Sequence, residues 1–259
     1  MTSSVPVPQG AGDPAALPRA WVDHVVVAAT ALDEGVAWCE TTLGVSPGPG
    51  GRHALFGTHN RLLKIESAAF PLAYLEIIAI DPEAPAPGRP RWFGLDEPGT
   101  RQAMAEHGPQ LWHLVARTTS LDSHLAALAS QGVDAGVGLA ASRPTPQGLL
   151  QWRIAVRPDG RLLFGGAFPT LIEWPADAGT GRALHPAAAM AASVVRLRSV
   201  ALGGLPPWAA QGLGLSDVAF VAQSQEPAAV DPLVAGGTMR VELETPKGLL
   251  TLASRPRRL

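Results

Sequence analysis

Short runs of apolar and β-branched residues recur along this chain, separated by stretches rich in glycine and proline. Trp21-Val22-Asp23-His24-Val25-Val26-Val27-Ala28 has the composition of a strand. Leu32-Asp33 opens a predicted helix, with Asp33 placed as its cap, apolar positions at Val36, Cys39 and Leu43, and Gly44 as its stop. Residues 45–57 are turn-rich. Strands are predicted over 58–65 and 73–80, with room for one more near His53.

The same order then returns. Leu111-Trp112-His113-Leu114-Val115-Ala116 predicts a strand, and Leu121-Asp122 opens a helix that stops near Gly132. The spacing from His113 to Leu121-Asp122 repeats that from His24 to Leu32-Asp33 without a gap. Further strands are predicted near 150–157, 161–165 and 169–174. The last, Leu171-Ile172-Glu173-Trp174, echoes Tyr74-Leu75-Glu76-Ile77. Several coincidences in one order argue for an internal repeat. A fainter third copy runs from 193 to 254, with strands over 194–202, 239–244 and 248–253 and a short helix over 206–212. It lacks the histidine and the glutamate of the other two. The expected organisation is a disordered leader over 1–19, a first module over 20–80, a linker over 81–110, a second module over 111–176, a linker over 177–192 and a third, degenerate module over 193–259.

Composition fits this reading. The 28 Gly and 25 Pro among 259 residues punctuate the chain, while 46 % hydrophobic and 16 % charged residues leave enough apolar material for a core. Many short elements are expected rather than long helices. Lys+Arg total 20 against 22 Asp+Glu, so no broad basic surface for nucleic acid is expected. The single cysteine, Cys39, excludes an internal disulfide and a thiolate zinc cluster, and its mid-helix position predicts a buried thiol. No apolar run approaches the ~18 residues of a membrane span, and residues 1–19 lack the basic and apolar regions of a signal peptide. A cytoplasmic location is the default expectation.

Alternation within strands assigns faces to the polar residues. His24 is expected to share a face with Val22 and Val26, and Glu76 with Tyr74 and Ile78. His113 and Glu173 are expected to behave alike in the second copy. A buried glutamate among apolar residues needs a partner. Two copies related by a pseudo-twofold axis would gather two His and two Glu, a set suited to zinc, nickel, manganese or iron. Taken singly, such a histidine is more often a hydrogen-bonded core residue than a ligand.

The pattern Val22-Asp23-His24-Val25-Val26-Val27, Leu32-Asp33, Leu43-Gly44 and Tyr74-Leu75-Glu76-Ile77 resembles the glyoxalase/bleomycin-resistance/dihydroxybiphenyl-dioxygenase superfamily, also called vicinal oxygen chelate. Gly57-Thr58-His59-Asn60 and Leu171-Ile172-Glu173-Trp174 resemble its glyoxalase-like branch. The resemblance covers residues 20–175 well and the rest weakly. It implies an α+β fold in which paired βαβββ modules form a cupped mixed sheet around a cavity, with the third module added. It also implies one divalent metal ion held by His24, Glu76, His113 and Glu173. A subset of His24, His113 and Glu173 would match the two-His-one-carboxylate iron sites.

The implied function is metal-dependent lyase, isomerase or dioxygenase chemistry on a small oxygen-bearing molecule, with Glu173 or Glu76 as the catalytic carboxylate. The alternative is a binding protein that sequesters a hydrophobic ligand without metal. His59 or Asn60, neighbours that point oppositely in a strand, is a candidate for positioning substrate. Arg143 and Trp152 flank the second copy's middle strands; Arg143 suits a carboxylate, though a solvated strand edge explains it equally. Arg52 and His53 are read as a mobile lip, and Trp92-Phe93 as a cap on the cavity or a pin for the linker. An unpartnered third sheet would favour a homodimer.

Overall fold

The structure, a computed structural model, describes residues 18–176, 184–221 and 231–255. Nearly all of the expected leader, part of the 177–192 linker and the terminal Arg257-Arg258 lie outside these residues.

The first module runs β1 (Ala20–Ala28), α1 (Leu32–Leu43), β2 (Arg52–His53), β3 (Thr58–Lys64) and β4 (Tyr74–Ile80). Gly44 closes α1 in the left-handed conformation at φ 76°, where a Cβ would be strained. The cap position at the other end is Ala31, not Asp33. Asp33 instead lies inside the first turn, where its charge complements the helix dipole. A further helix, α2 (Pro98–His107), occupies the linker and was not foreseen. The second module runs β5 (Gln110–Thr118), α3 (Leu121–Ser130), β6 (Val137–Thr145), β7 (Gly148–Val156) and β8 (Thr170–Glu173). The strand expected near 161–165 is instead a loop with a 3-10 turn at Phe164–Gly166, and the missing strand is β6. The run 161–165 is apolar because it packs into the core, not because it pairs.

Both modules share one eight-stranded sheet, ordered β2-β3-β4-β1-β5-β8-β7-β6. β1 pairs with β5 antiparallel at the centre, and each runs parallel to the last strand of its own module. The sheet curls until its outer strands, β2 and β6, approach each other. Its outer face and the two module helices enclose one core containing Val25, Val27, Cys39, Leu75, Leu114 and Leu128. Its inner face carries a second core rich in aromatic rings. Burial pushes the Cys39 thiol up to about 12, as suits an inert packing residue.

The last segment, β9 (Arg196–Gly203), α4 (Pro207–Leu213), β10 (Ala219–Val221), β11 (Thr238–Thr245) and β12 (Gly248–Ala253), keeps the βαβββ element order. Its sheet order differs. β10 lies parallel to β9 directly after the helix, and the β11–β12 hairpin joins β9 on the other side. Its apolar face, including Leu197, Val200, Leu202, Val241 and Leu243, packs into the outer core of the first two modules. The chain itself therefore covers the face whose exposure had suggested a dimer.

Candidate functional site

Two β-bulges set the site. The β1–β5 register skips Asp23 on one strand and Trp112 on the other, each immediately before a histidine. An extra residue in a strand shifts the alternation by one. Val22 accordingly packs in the outer core with Val25 and Val27 rather than sharing His24's face, while His24 and Glu76 line the inner cavity and Val26 joins the inner core. The bulge also frees Asp23 to bond its neighbour: His24 Nδ1 lies 2.6 Å from Asp23 Oδ1.

Asp23 is fully buried and is held from several sides, Tyr74 among them. Besides His24, its Oδ2 accepts from the Trp174 indole N–H at 2.9 Å and from His185 Nε2 at 3.0 Å. His185 Nδ1 accepts from the Ala187 amide, which leaves Nε2 as the donor. On the other side, His24 Nε2 lies 3.5 Å from Glu76 Oε2, and Tyr74 stacks on the imidazole at 4.5 Å. Burial works against charge on His24, but hydrogen bonds to Asp23 and Glu76 and their charges raise it from 6.5 to about 9. Burial would raise both carboxyls. His185 and His24 hold Asp23 far below the usual range, and His24 with Asn60 holds Glu76 below it. At neutral pH an imidazolium therefore sits between two carboxylates.

Asn60 completes this wall. Its Nδ2 donates to Glu76 Oε1 at 2.6 Å and reaches His53 Nε2 at 3.3 Å, while its Oδ1 accepts from the Gly51 amide at 2.8 Å. Burial pushes His53 down to about 4, so it is a neutral acceptor here. Gly50 and Gly51 permit this packing. A Cβ on Gly50 would lie 2.0 Å from the Asn60 carbonyl oxygen, and one on Gly51 would lie 2.2 Å from Arg143 Nη1.

Opposite lie the contributions of the linker and second module. The cavity, about 390 Å³ including its open mouth, is lined there by Trp92, Phe93, Arg143, Trp152, Ile154 and Trp174. Trp92 and Phe93 form a 3-10 turn with Phe93 at φ 57°, pinned by the Gly94 amide donating to Gly160 and by the Trp112 indole donating to the Phe93 carbonyl. The linker pair is thus both cap and pin.

Sequence reasoning named His24, Glu76, Asn60, Arg143 and Trp152, and all five meet in this cavity. His59 turns to the other side of β3, toward Asp81, with Nδ1 4.0 Å from Oδ1. Burial is the main cause of its lowered pKa. His113 and Glu173 do not join the group. His113 Nε2 accepts from the Thr170 amide at 3.2 Å, so Nδ1 is the donor to the Gly166 carbonyl at 2.9 Å. Glu173 faces outward and pairs with Arg153 at 3.1 Å, itself bound to Asp122 of α3.

Strand register explains the difference. Val26, two residues after His24, pairs with Glu76; Val115, two residues after His113, pairs with Thr170. The structural counterpart of Glu76 is therefore Thr170, not Glu173. The offset of three residues is odd, which turns a side chain to the opposite face. Among the described residues no group of three or more His, Cys, Asp or Glu is placed to hold a metal ion. The four-residue ligand set implied by the resemblance does not fit, because two of its members are committed elsewhere.

Asp23, Tyr74, Trp174 and His185 were not singled out as site residues, and His53, read as part of a lip, is instead buried in the cavity wall. The adjacent Asp23-His24 pair carried a signal, since a buried aspartate inside an apolar strand needs a partner.

A cupped sheet of two pseudo-symmetric βαβββ modules, with its polar residues turned into the cavity between them, defines the architectural class. The glyoxalase-like domain model matches residues 22–229, and the chain belongs to that family, within the vicinal oxygen chelate superfamily. Several solved structures are similar to this chain, and the first of these shows the fold. A hypothetical protein from Staphylococcus aureus is 12 % identical with a TM-score of 0.55, over 92 % of this chain and 88 % of that one. Methylmalonyl-CoA epimerase from Mycobacterium tuberculosis is 21 % identical with a TM-score of 0.37, over 64 % of this chain and 95 % of its own. The Streptomyces coelicolor epimerase in complex with 2-nitronate-propionyl-CoA is 20 % identical with a TM-score of 0.36, over 61 % and 97 %. No curated protein matches the sequence. No helix among the described residues is long and apolar enough to cross a membrane.

Proposed function

We propose that the protein is a lyase or isomerase that moves a proton on a small carbonyl compound held in the inner cavity. The observation that carries this reading is the buried pair His24 Nε2–Glu76 Oε2, 3.5 Å apart on the cavity wall. Proton abstraction next to a carbonyl needs a base at the carbon and a donor at the oxygen. Glu76, ionised and held by Asn60, takes the first role. His24, kept protonated by Asp23, takes the second. Tyr74, Trp174 and His185 fix these groups and exclude water, so charge developing on the substrate meets dipoles already in place. Dioxygenase chemistry through a two-His-one-carboxylate set finds less support, because His113 and Glu173 have other partners.

The test is hydrogen–deuterium exchange in D2O, followed by NMR on a panel of small 2-oxo and 1,3-dicarbonyl compounds. The expected result is enzyme-dependent exchange at a carbon beside a carbonyl, reduced about a hundredfold or more in Glu76→Gln. Exchange that survives in Glu76→Gln would sink the assignment. The aromatic lining supports one other reading, sequestration of a ligand without turnover. Saturable binding without exchange would favour it.

A further inference from the structure

Arg143 is the unexplained residue of this cavity. It lies on β6, a strand at the sheet's outer edge, at an inward position alternating with exposed Ser142 and Pro144. Closure of the sheet against the Gly50-Gly51 turn buries it to 8 % exposure. Its guanidinium makes no hydrogen bond or ion pair to any described residue, although Arg52, Arg91, Arg153, Arg157 and Arg161 all have carboxylate partners. With no protein partner, a guanidinium this little exposed has only the open side of the cavity to supply its acceptors. Trp92, on the same cavity, adds an independent orphan: its indole N–H is buried and has no partner. The Arg143 guanidinium and the Trp92 ring thus line one aromatic cavity, and both carry donors rather than acceptors.

We propose that Arg143 anchors a single carboxylate group of the ligand, that the Trp92 N–H supplements it, and that Phe93, Trp152 and Trp174 pack against a planar or apolar body. The guanidinium fork matches the two oxygens of a carboxylate. Charge favours one carboxylate over a dianion. Asp23, Glu76, His24 and Arg143 balance before the ligand enters, and Glu76 on the same cavity would repel a second negative charge. This assignment rests on the cavity being the substrate site. It narrows the proposed substrate to a carbonyl compound that also carries a carboxylate.

The test compares phenylacetate, neutral phenylacetamide and dianionic benzylphosphonate, with binding read by tryptophan fluorescence and melting temperature. Wild type is expected to bind phenylacetate about tenfold or more tightly than phenylacetamide, and benzylphosphonate more weakly than phenylacetate. Arg143→Gln is expected to bind the acid no better than the amide while still unfolding cooperatively. Arg143→Lys keeps the charge without the fork and is expected to recover part of the preference. Equal binding of acid and amide by wild type, no binding of the acid at millimolar concentration, or a preference that persists in Arg143→Gln would overturn the assignment. If Arg143 serves only as counter-charge to Glu76, Arg143→Gln lowers stability, Glu76→Gln added to it restores stability, and ligand preference never changes; that result also overturns it. Glu76→Gln alone separates this inference from the proposed reaction. The acid preference is expected to remain while exchange is lost, so one can fail without the other.

Discussion

The two halves of the eight-stranded sheet carry equivalent histidines in different circumstances. In the first, the bulge residue before His24 is an aspartate and the residue across from Val26 is a glutamate, so the imidazole is held between two carboxylates. In the second, the bulge residue before His113 is Trp112 and the residue across from Val115 is Thr170, so the imidazole is held by an amide, a hydroxyl and a carbonyl. One histidine is proton-loaded on a cavity wall; the other fixes the turn at Phe164–Gly166 to its own strand. A duplicated framework can keep its geometry while only one copy keeps the charged chemistry, since geometry follows from the bulge and charge from the residue that fills it.

Removing Asp23 should have the largest effect. Asp23→Ala leaves the Trp174 and His185 donors unpaired and His24 without its counter-charge, and about 3–5 kcal/mol of stability is expected to disappear in urea unfolding. In the second half, His113→Gln disturbs bonds to an amide, a hydroxyl and a carbonyl and is expected to cost about 1–3 kcal/mol. Equal costs would break the comparison. The pH dependence comes next. His24 is raised from 6.5 to about 9, so its contribution is fully present below 6.5 and lost as pH rises through 9. His53 is lowered from 6.5 to about 4, so its contribution is present above 6.5 and lost as pH falls through 4. Imidazole NMR titrations should show both, and a His24 that titrates at or below 6.5 would remove the charged network.

Thr170→Val keeps the backbone amide to His113 but removes the hydroxyl at 2.9 Å, and about 1 kcal/mol is expected in the same unfolding assay. The smallest effect belongs to Glu173→Gln. Its partner Arg153 is 40 % exposed, so less than about 1 kcal/mol should be lost, and any response of melting temperature to added zinc, nickel, manganese or iron should stay as in wild type. A metal response abolished by Glu173→Gln would restore the four-residue ligand set.

Much of the fold was legible because its signals are local. The β-branched run around Val25, the stop at Gly44 and the constant spacing from histidine to Leu-Asp are properties of neighbours along the chain. β6 escaped notice because its outer face is Gly138, Ala140 and Ser142 and its inner face includes Arg143, which breaks the apolar alternation. The 161–165 run misled because an apolar loop packed into a core looks like a strand. In the site, alternation told that only one of His59 and Asn60 could face the cavity without telling which, and Glu173 was matched to Glu76 by an echo of residue types that the register does not follow.

By itself the sequence determined the two modules, their helices, the pairing of a histidine with a carboxylate in the first copy and the family resemblance that goes with them. These depend on composition and period, which a chain carries before it folds. Tertiary structure decided which polar residues meet. Bulges at Asp23 and Trp112, the register that puts Thr170 opposite Val115, and closure of the sheet that buries Arg143 beside Gly51 are relations between strands distant in sequence. A slip of an odd number of residues moves a side chain from cavity to solvent without changing the pattern along the chain.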